Sequence, residues 1–480
     1  MNIEFNYPVI IQGGMGVAVS DWRLAKTVSA SGQLGVVSGT AISRIFTSRL
    51  MDGDISGNVR RALAHFPMQD AVQEILERYY IPGGKLKNAP YRSQPIYTIK
   101  PSPFLDKLTV LANFTEVWLA KEGHSGVVGI NLLEKVQMSN PASIYGAMLA
   151  GVDFIIMGAG IPVQVPAIIT KLTSHEAVSY RLDVQGAMPD DTYHIKFDPD
   201  NIFPGIQSIT GTLNRPKFVP VVSSVVLAQA LIKRSDGEIN GFIIEGPTAG
   251  GHNAPPRGVL KLDENSEPIY GIKDLVDLEK IKSLGLPFWL AGGFGHPQKL
   301  KEAIRLGAQG IQVGTAFSLC NESGMESELK QRVLAKVISG DIKVITSSTI
   351  SPTGFPFKVL GVEGTASDEK VYNIRKRICD LGFLRNVLID PAGKLNYRCS
   401  AEPVEDFVKK GGREEDAMGR TCLCNNLAAT AGFAQIRKDN FSEPQLVTSG
   451  DDIETITRLI KPGTINYSAV DVLNYLLGKS

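Results

Sequence analysis

Short apolar runs recur along this chain, and most of them are followed by a stretch whose apolar positions repeat at helical spacing. Pro8-Val-Ile-Ile-Gln-Gly-Gly-Met-Gly16 reads as a first strand ending in a glycine corner, with an amphipathic helix over Trp22 to Ser31 started near Ser20-Asp21. Gly35 to Ser38 is the second strand, Val127 to Asn131 the third, and Asp153 to Met157 the fourth, which ends in Gly158-Ala-Gly-Ile-Pro162. Phe218 to Ser223 is the fifth, with Val225 to Lys233 as its helix, and Phe242 to Ile244 the sixth. Pro287 to Ala291 is the seventh, running into Gly292-Gly293 and a helix over Pro297 to Leu306; Gly310 to Thr315 is the eighth. Continuous apolar strands alternating with helices indicate a parallel sheet covered on both faces. A doubly wound open sheet would give the same alternation, so the count of eight decides for an α/β fold, a parallel (β/α)8 TIM barrel.

Two stretches break the rhythm. Between Gly39 and about Gly123 the pattern is helical, over 42–51, 59–66 and 70–80, then a Pro-rich connector from Ile81 to Pro103 and a helical pair ending near Leu119. An insertion of this length after the second strand, beside the face where barrels keep their chemistry, suits a lid or an interface. The second stretch, about 183–215, is polar, rich in Asp, Pro and His, and without clear period, so it reads as a loop excursion. After Phe317 come a helix over Glu326 to Ser339, an extended run from Asp341 to Ser348, and a turn-rich boundary at Ser351 to Phe357. The expected division is a barrel over 1–356 and an extension packed on it over 357–480, ending in two short helices around Pro462-Gly463.

Composition narrows the classes. With 43% apolar residues and a net charge of +1 the chain can bury a large core, and nothing in its balance points to nucleic acid or an anionic surface. The N-terminus lacks a basic region followed by an apolar core, so no signal peptide is expected. The most apolar long stretch, Tyr145 to Ile169, is interrupted by Asp153, Gly160, Pro162, Gln164 and Pro166, which argues against a membrane span. Five cysteines are too few for a disulfide scaffold at this length, so a reducing cytoplasm is the expected compartment. Cys379, Cys399, Cys422 and Cys424 are close enough in sequence for a zinc or iron–sulfur site, or are buried as small apolar residues; their spacing is not a doubled C-x₂-C and leaves the metal open. The oligomeric state is open too.

The candidate chemistry centres on Gly241-Phe-Ile-Ile-Glu-Gly-Pro-Thr-Ala-Gly-Gly-His-Asn-Ala-Pro-Pro-Arg257. Here the sixth strand delivers His252, a single titratable group, to the loop face where barrels build active sites. Gly250 and Gly251 carry no Cβ, so the backbone is expected to approach a flat ring closely. The bland alternative is a histidine capping a surface loop. Gly292-Gly293 and Gly314-Thr315 follow strands seven and eight, the standing phosphate site of this fold. Gln12 to Gly16 and Asn131 would offer bare backbone and an amide to an isoalloxazine ring. Gly13 to Gly16 does not make G-x-G-x-x-G, so the cofactor implied is a mononucleotide such as FMN. Ser223 and Ser224, at the end of strand five, are candidates for touching the flavin, whereas His296, Arg257 and Lys409-Lys-Gly-Gly-Arg413 read as capping or solvated surface groups.

Pro8 to Gly16, Gly129-Ile-Asn131, Gly158 to Pro162, Glu245 to His252, Leu290 to Gly293 and Gly310 to Thr315, taken in order, resemble the nitronate monooxygenases. They equally resemble the FMN-dependent enoyl-acyl-carrier-protein reductases; the insertion, the excursion and the extension resemble a longer subgroup usually named after the former. The resemblance implies FMN held by Gly13, Gly14, Met15, Gly16, Asn131, Glu245, Gly250, Gly251, Gly292, Gly293, Gln312, Val313, Gly314 and Thr315. It implies His252 as the catalytic base that takes the α-proton of a nitroalkane; the nitronate then passes electrons to flavin, O2 enters, and carbonyl compound and nitrite leave. At its ordinary pKa near 6.5 a histidine would suit that task. In the reductase alternative, hydride comes from NAD(P)H to an enoyl thioester; a third reading is a flavin-binding protein whose insertions serve assembly. Reduction by NAD(P)H against nitronate-dependent oxygen uptake separates the two enzymes.

Overall fold

The structure, a computed structural model, describes residues 7–461 and 463–479. The expected absence of a leader segment therefore rests on residues that lie mostly outside the described ones, and so does Pro462. Eight strands form the barrel: β1 Ile10–Gln12, β2 Gly35–Ser38, β3 Val128–Leu133, β4 Phe154–Gly158, β5 Lys217–Val222, β6 Phe242–Glu245, β7 Phe288–Ala291 and β8 Gly310–Val313. Each pairs in parallel with its neighbours in sequence, and β8 returns to β1 with Ile11 opposite Gln312. The last gap closes through Gln12 N donating to Leu34 O at 2.9 Å and Leu34 N to Ile10 O at 3.1 Å. The expected parallel barrel is what the chain forms.

Alternation within these strands fills the cylinder. Ile11, Val36, Phe154, Ile156, Val219, Ile243, Trp289 and Ala291 pack on one another inside it, and Trp289 Nε1 satisfies its donor on Pro8 O at 2.8 Å. The other face of each strand meets the helices, so both faces are dry, which is why the strands read as unbroken apolar runs. Side chains of this size, fully buried, contribute on the order of 1.5–3 kcal/mol each. The helix Trp22–Ala30 starts where Asp21 Oδ1 accepts from Arg23 N and Leu24 N, as the Ser20-Asp21 signal anticipates.

The insertion after β2 is helical over Ile42–Met51, Asn58–Leu63 and Gln69–Tyr79. Its last part is one helix, Pro103–Lys121, where a pair was expected. Ser102 caps it and Pro103 sits at its first turn, and its buried face carries Glu116, which accepts from Trp22 N at 2.8 Å and from Arg49 Nη1 at 2.6 Å. A continuous apolar surface on two neighbours is what a local periodicity count splits in two.

The stretch expected as a featureless excursion is partly ordered. Val178–Leu182 pairs antiparallel with Tyr193–Phe197, and Val184–Gln185 adds a parallel edge to Asn386–Ile389, itself paired with Leu395–Arg398. Strands supplied by a partner two hundred residues away leave no local signature. The C-terminal segment is also tied to the barrel rim: Phe357–Leu360 pairs antiparallel with Val344–Ser347 on one side and with Gly251–His252 on the other. No helix among the described residues is long and apolar enough to cross a membrane.

Candidate active site

At the C-terminal ends of the strands lies a cavity of about 240 Å³. Gly13, Gly14, Met15 and Gly16 after β1, Asn131 in β3 and Glu245 at the end of β6 line it, with Gly250, Gly251 and His252 on the following loop. Gly292 and Gly293 after β7 and Gln312, Val313, Gly314 and Thr315 around the end of β8 complete the set read from the sequence. One space thus gathers the whole set that the resemblance assigned to FMN together with His252, but not Ser223 and Ser224.

The glycines have separate physical reasons. A Cβ at Gly14 would stand 2.2 Å from Asn131 Cβ, so the corner after β1 must be bare for Asn131 to reach over and donate from Nδ2 to Gly14 O at 3.0 Å. Gly251 has φ +75 with open space around it, a left-handed turn residue beside the cavity. Gly250 differs from the expectation that its missing Cβ admits a ring. Its Cβ would stand 2.6 Å from the Ser449 carbonyl carbon and 2.8 Å from Gly450 N, so its bareness admits the C-terminal segment. Gly250→Ala should therefore push Thr448–Gly450 off the cavity wall and destabilise the protein by about 1–3 kcal/mol. A shift of the urea unfolding midpoint measures this, with wild-type stability the result against it.

His252 faces Ser351, whose Oγ lies 2.9 Å from its Nε2 and also 2.8 Å from Thr353 Oγ1. Phe357 meets the imidazole edge-on at 4.6 Å between ring centres. Burial, with the Lys135 charge added, pushes the His252 pKa down to about 4, below the ordinary value assumed from sequence. The ring is accordingly neutral at pH 7 and holds a lone pair, at the cost of basicity. Glu245 moves the other way: burial alone pushes its carboxyl up to about 7. A carboxyl that titrates near neutrality inside a cavity is able to hold or give up a proton there.

The corners after β7 and β8 line the same cavity with Gly292 at φ +88, Gly293 at φ +70, and Thr315. Thr315 Oγ1 accepts from Gly450 N at 3.0 Å, and Asp452 Oδ2 accepts from Gly295 N at 3.2 Å. A carboxylate here would oppose a phosphate. Burial raises the Asp452 pKa above the ordinary carboxyl value, against hydrogen bonds from Thr315 and Gly295 N that lower it. The Gln312 Oε1 acceptor is buried without a hydrogen-bond partner, in the wall where a pyrimidine N–H would come. Bare corners and an orphaned acceptor fit a flavin.

Ser223 and Ser224 do not line the cavity. Ser224 Oγ accepts from Leu227 N at 3.1 Å as the cap of the helix Val225–Arg234, and Ser223 O accepts from Arg257 Nη2 at 2.9 Å. The strand-end position was right for a ligand-facing group, but helix capping claims the hydroxyl. His296 likewise caps the helix Pro297–Arg305. Among the described residues no group of three or more His, Cys, Asp or Glu is placed to hold a single metal ion. Sequence reasoning missed Lys135, Ser351, Thr248, Phe357 and Asp452, and missed that Phe383, Leu384, Leu423, Cys424 and Leu427 make an apolar wall. Ser351 stood in a turn-rich boundary, Lys135 just beyond the third strand, Thr248 within the His252 loop, and the rest in the extension, where nothing local marks a residue as facing a barrel rim.

Fold and cavity define the class: a parallel β/α barrel that keeps a ligand-sized space at the C-terminal ends of its strands. Within it, residues 215–351 match the family model for nitronate monooxygenase, which bears out the resemblance read from the motifs. Over 104 residues the chain is 35% identical to a probable nitronate monooxygenase of Bacillus subtilis, covering 22% of this chain and 28% of that protein. Over 114 residues it is 32% identical to a nitronate monooxygenase of Pseudomonas aeruginosa, covering 24% and 31%. A Mycobacterium tuberculosis (3aS,4S,5R,7aS)-5-hydroxy-7a-methyl-1-oxo-octahydro-1H-indene-4-carboxyl-CoA dehydrogenase is 28% identical over 143 residues, 30% of this chain and 36% of that protein. These matches span about a third of the length of the curated relatives.

Proposed function

We propose that the protein is an FMN-dependent oxidoreductase that oxidises alkyl nitronates with O2 to carbonyl compound and nitrite. The observation that carries this reading is the convergence of His252 and the corners after β1, β7 and β8 on one cavity. Gly13 to Gly16, Asn131 and Gln312 would hold the ring, and Gly292, Gly293, Gly314 and Thr315 the phosphate. Bound there, the isoalloxazine would supply an acceptor for the substrate's electrons and a route to O2. His252 acts before that step. The tautomer that donates from Nε2 to Ser351 Oγ leaves the lone pair on Nδ1, which takes the α-proton of a neutral nitroalkane. Lys135, already felt electrostatically by His252, favours the nitronate anion that results. Phe383, Leu384, Leu423 and Leu427 would exclude water and receive the alkyl chain. Five free thiols suit a reducing cytoplasm.

That same apolar wall favours one second reading, reduction of an enoyl thioester with NAD(P)H, and the mycobacterial relative is named for a carboxyl-CoA. A histidine held neutral is a poor proton donor to an acyl group, which is why the nitronate reading leads. The test is an absorbance spectrum of the purified protein, followed by anaerobic mixing with an alkyl nitronate, NADH and NADPH in turn. Flavin bleached by nitronate, with oxygen uptake in air, is the expected result; bleaching by NADH or NADPH alone transfers the assignment to the reductase.

A further inference from the structure

The four cysteines of the C-terminal segment come together in space, although they do not form a site for a single ion. The neighbouring Cys379, together with burial, pushes the thiol of Cys399, just after the strand Leu395–Arg398, well above its usual range. Cys422 stands at the N-cap position of the helix Leu423–Thr430 and acts on the titration of Cys424 in its first turn, and Cys424 feels the charges of both Cys379 and Cys399. Cys424 alone of the four lines the cavity at the strand ends.

The surroundings of the pair favour one ionised sulfur. Asn425 Nδ2 donates to Cys422 Sγ at 3.5 Å, and the Arg375 charge acts on the same sulfur. Arg375 is itself buried, its side chain 4% exposed, and its Nη2 has no hydrogen-bond partner. A buried donor left unpaired beside a thiol is satisfied when that thiol ionises. The interaction with Cys424, with the Arg375 charge and Asn425 added, pulls the Cys422 thiol below its usual range against its burial, while the same interaction and burial push Cys424 well above it.

We propose that Cys422 and Cys424 form a redox-active dithiol that exchanges two electrons with flavin bound in the adjoining cavity. The proposal rests on the flavin reading given above. In the forward direction the Cys422 thiolate and the Cys424 thiol lose two electrons and one proton, and an S–S bond forms between them. The oxidised isoalloxazine accepts both electrons and the proton and becomes the anionic reduced form; the reverse step cleaves the disulfide. A bond across a Cys-x-Cys pair must distort the first turn of the helix, and strained bonds of this kind are the readily reduced ones. Cys379 and Cys399 stand behind the pair, away from the cavity lining.

The experiment uses the full-length protein, reduced with a phosphine, freed of it under anaerobic conditions, and mixed with one equivalent of oxidised FMN. Flavin absorbance is followed, the sample is acid-quenched and alkylated after denaturation, and the peptides are mapped by mass spectrometry. The expected result is loss of flavin colour matched by a Cys422–Cys424 disulfide that is absent from a flavin-free control. Cys424→Ser should keep bound flavin and abolish the bleaching, and Cys379→Ser should leave it in place. If Cys424→Ser does not fold, the wild-type map decides alone. A protein that takes up no flavin overturns the cofactor reading and this proposal with it. A yellow protein in which both thiols are alkylated equally with and without FMN, or in which the bond joins Cys379 to Cys399, overturns the proposal alone.

Discussion

His252→Ala is expected to stay yellow and to lose about 10²–10⁴-fold in kcat/KM on neutral nitroalkanes, the range a positioned general base contributes. The flavin contacts inferred for this cavity come from backbone corners and from Asn131 and Gln312, so removing the imidazole leaves the cofactor in place. On preformed nitronates the loss should be far smaller, because their α-proton is already gone. The low pKa sharpens this. A neutral ring at pH 7 is always ready to accept, but a base near 4 takes a proton from a weak carbon acid uphill, so nitroalkane turnover should be slow even in the wild type. The acid limb of the kcat/KM profile is expected near pH 4 and not near 6.5. Ser351→Ala should give an intermediate loss, since it frees Nε2 from the hydroxyl that orients it. Equal activity of wild type and His252→Ala on both substrate forms would remove the base from the mechanism.

The barrel was legible because its strands are short, dry on both faces and mostly closed by a glycine corner, so the signal is local. Leu34 to Ser38 and Gly310 to Val313 announce themselves without any partner in view. Pro103–Lys121 misled for the opposite reason: buried on nearly every side, it lacks the polar stripe by which a helix is counted. The edge Val184–Gln185 owes its pairing to Asn386–Ile389 far along the chain, which a local reading cannot supply, whereas the hairpin Val178–Leu182 with Tyr193–Phe197 is local and its alternation is a signal that sequence reasoning missed.

Half of the cavity was legible on the same terms. The corners after β1, β7 and β8 and the His252 loop follow from the rule that barrel chemistry sits at strand ends. The other half comes from the extension, and it bears on the reading of the corners themselves. Gly250 looked like room for a ring and proves to be room for Ser449–Gly450. Ser224 looked like a ligand contact and is a helix cap. His252 looked like an ordinary histidine, and only its enclosure by Phe357, Ser351 and Lys135 displaces its pKa. A side chain's identity is in the sequence, whereas its desolvation is set by segments that arrive from far along the chain.

That displacement gives the second large effect, two opposed pH dependences of stability carried by His252 and Glu245. His252 has a folded pKa of about 4 against an ordinary 6.5, so the stability it allows is present above 6.5 and is lost as pH falls toward 4. Glu245 has a folded pKa of about 7 against an ordinary 4.5, so its share is present below 4.5 and is lost as pH rises through 7. At roughly 1.4 kcal/mol for each tenfold change in proton affinity, either displacement comes to about 3 kcal/mol. Neither group figures among the influences on the other, so the two contributions add with opposite sign across pH 4.5 to 6.5. Glu245→Gln removes one of them. Relative to wild type it should lose about 3 kcal/mol as pH falls through that window, while His252→Ala should gain a similar amount. Urea unfolding of the three proteins at matched pH values gives the difference curves, in which the many surface carboxylates cancel. Difference curves that slope in the same direction, or are level, would mean that these two side chains are not desolvated in the folded protein, and with that the low basicity assigned to His252 would fall.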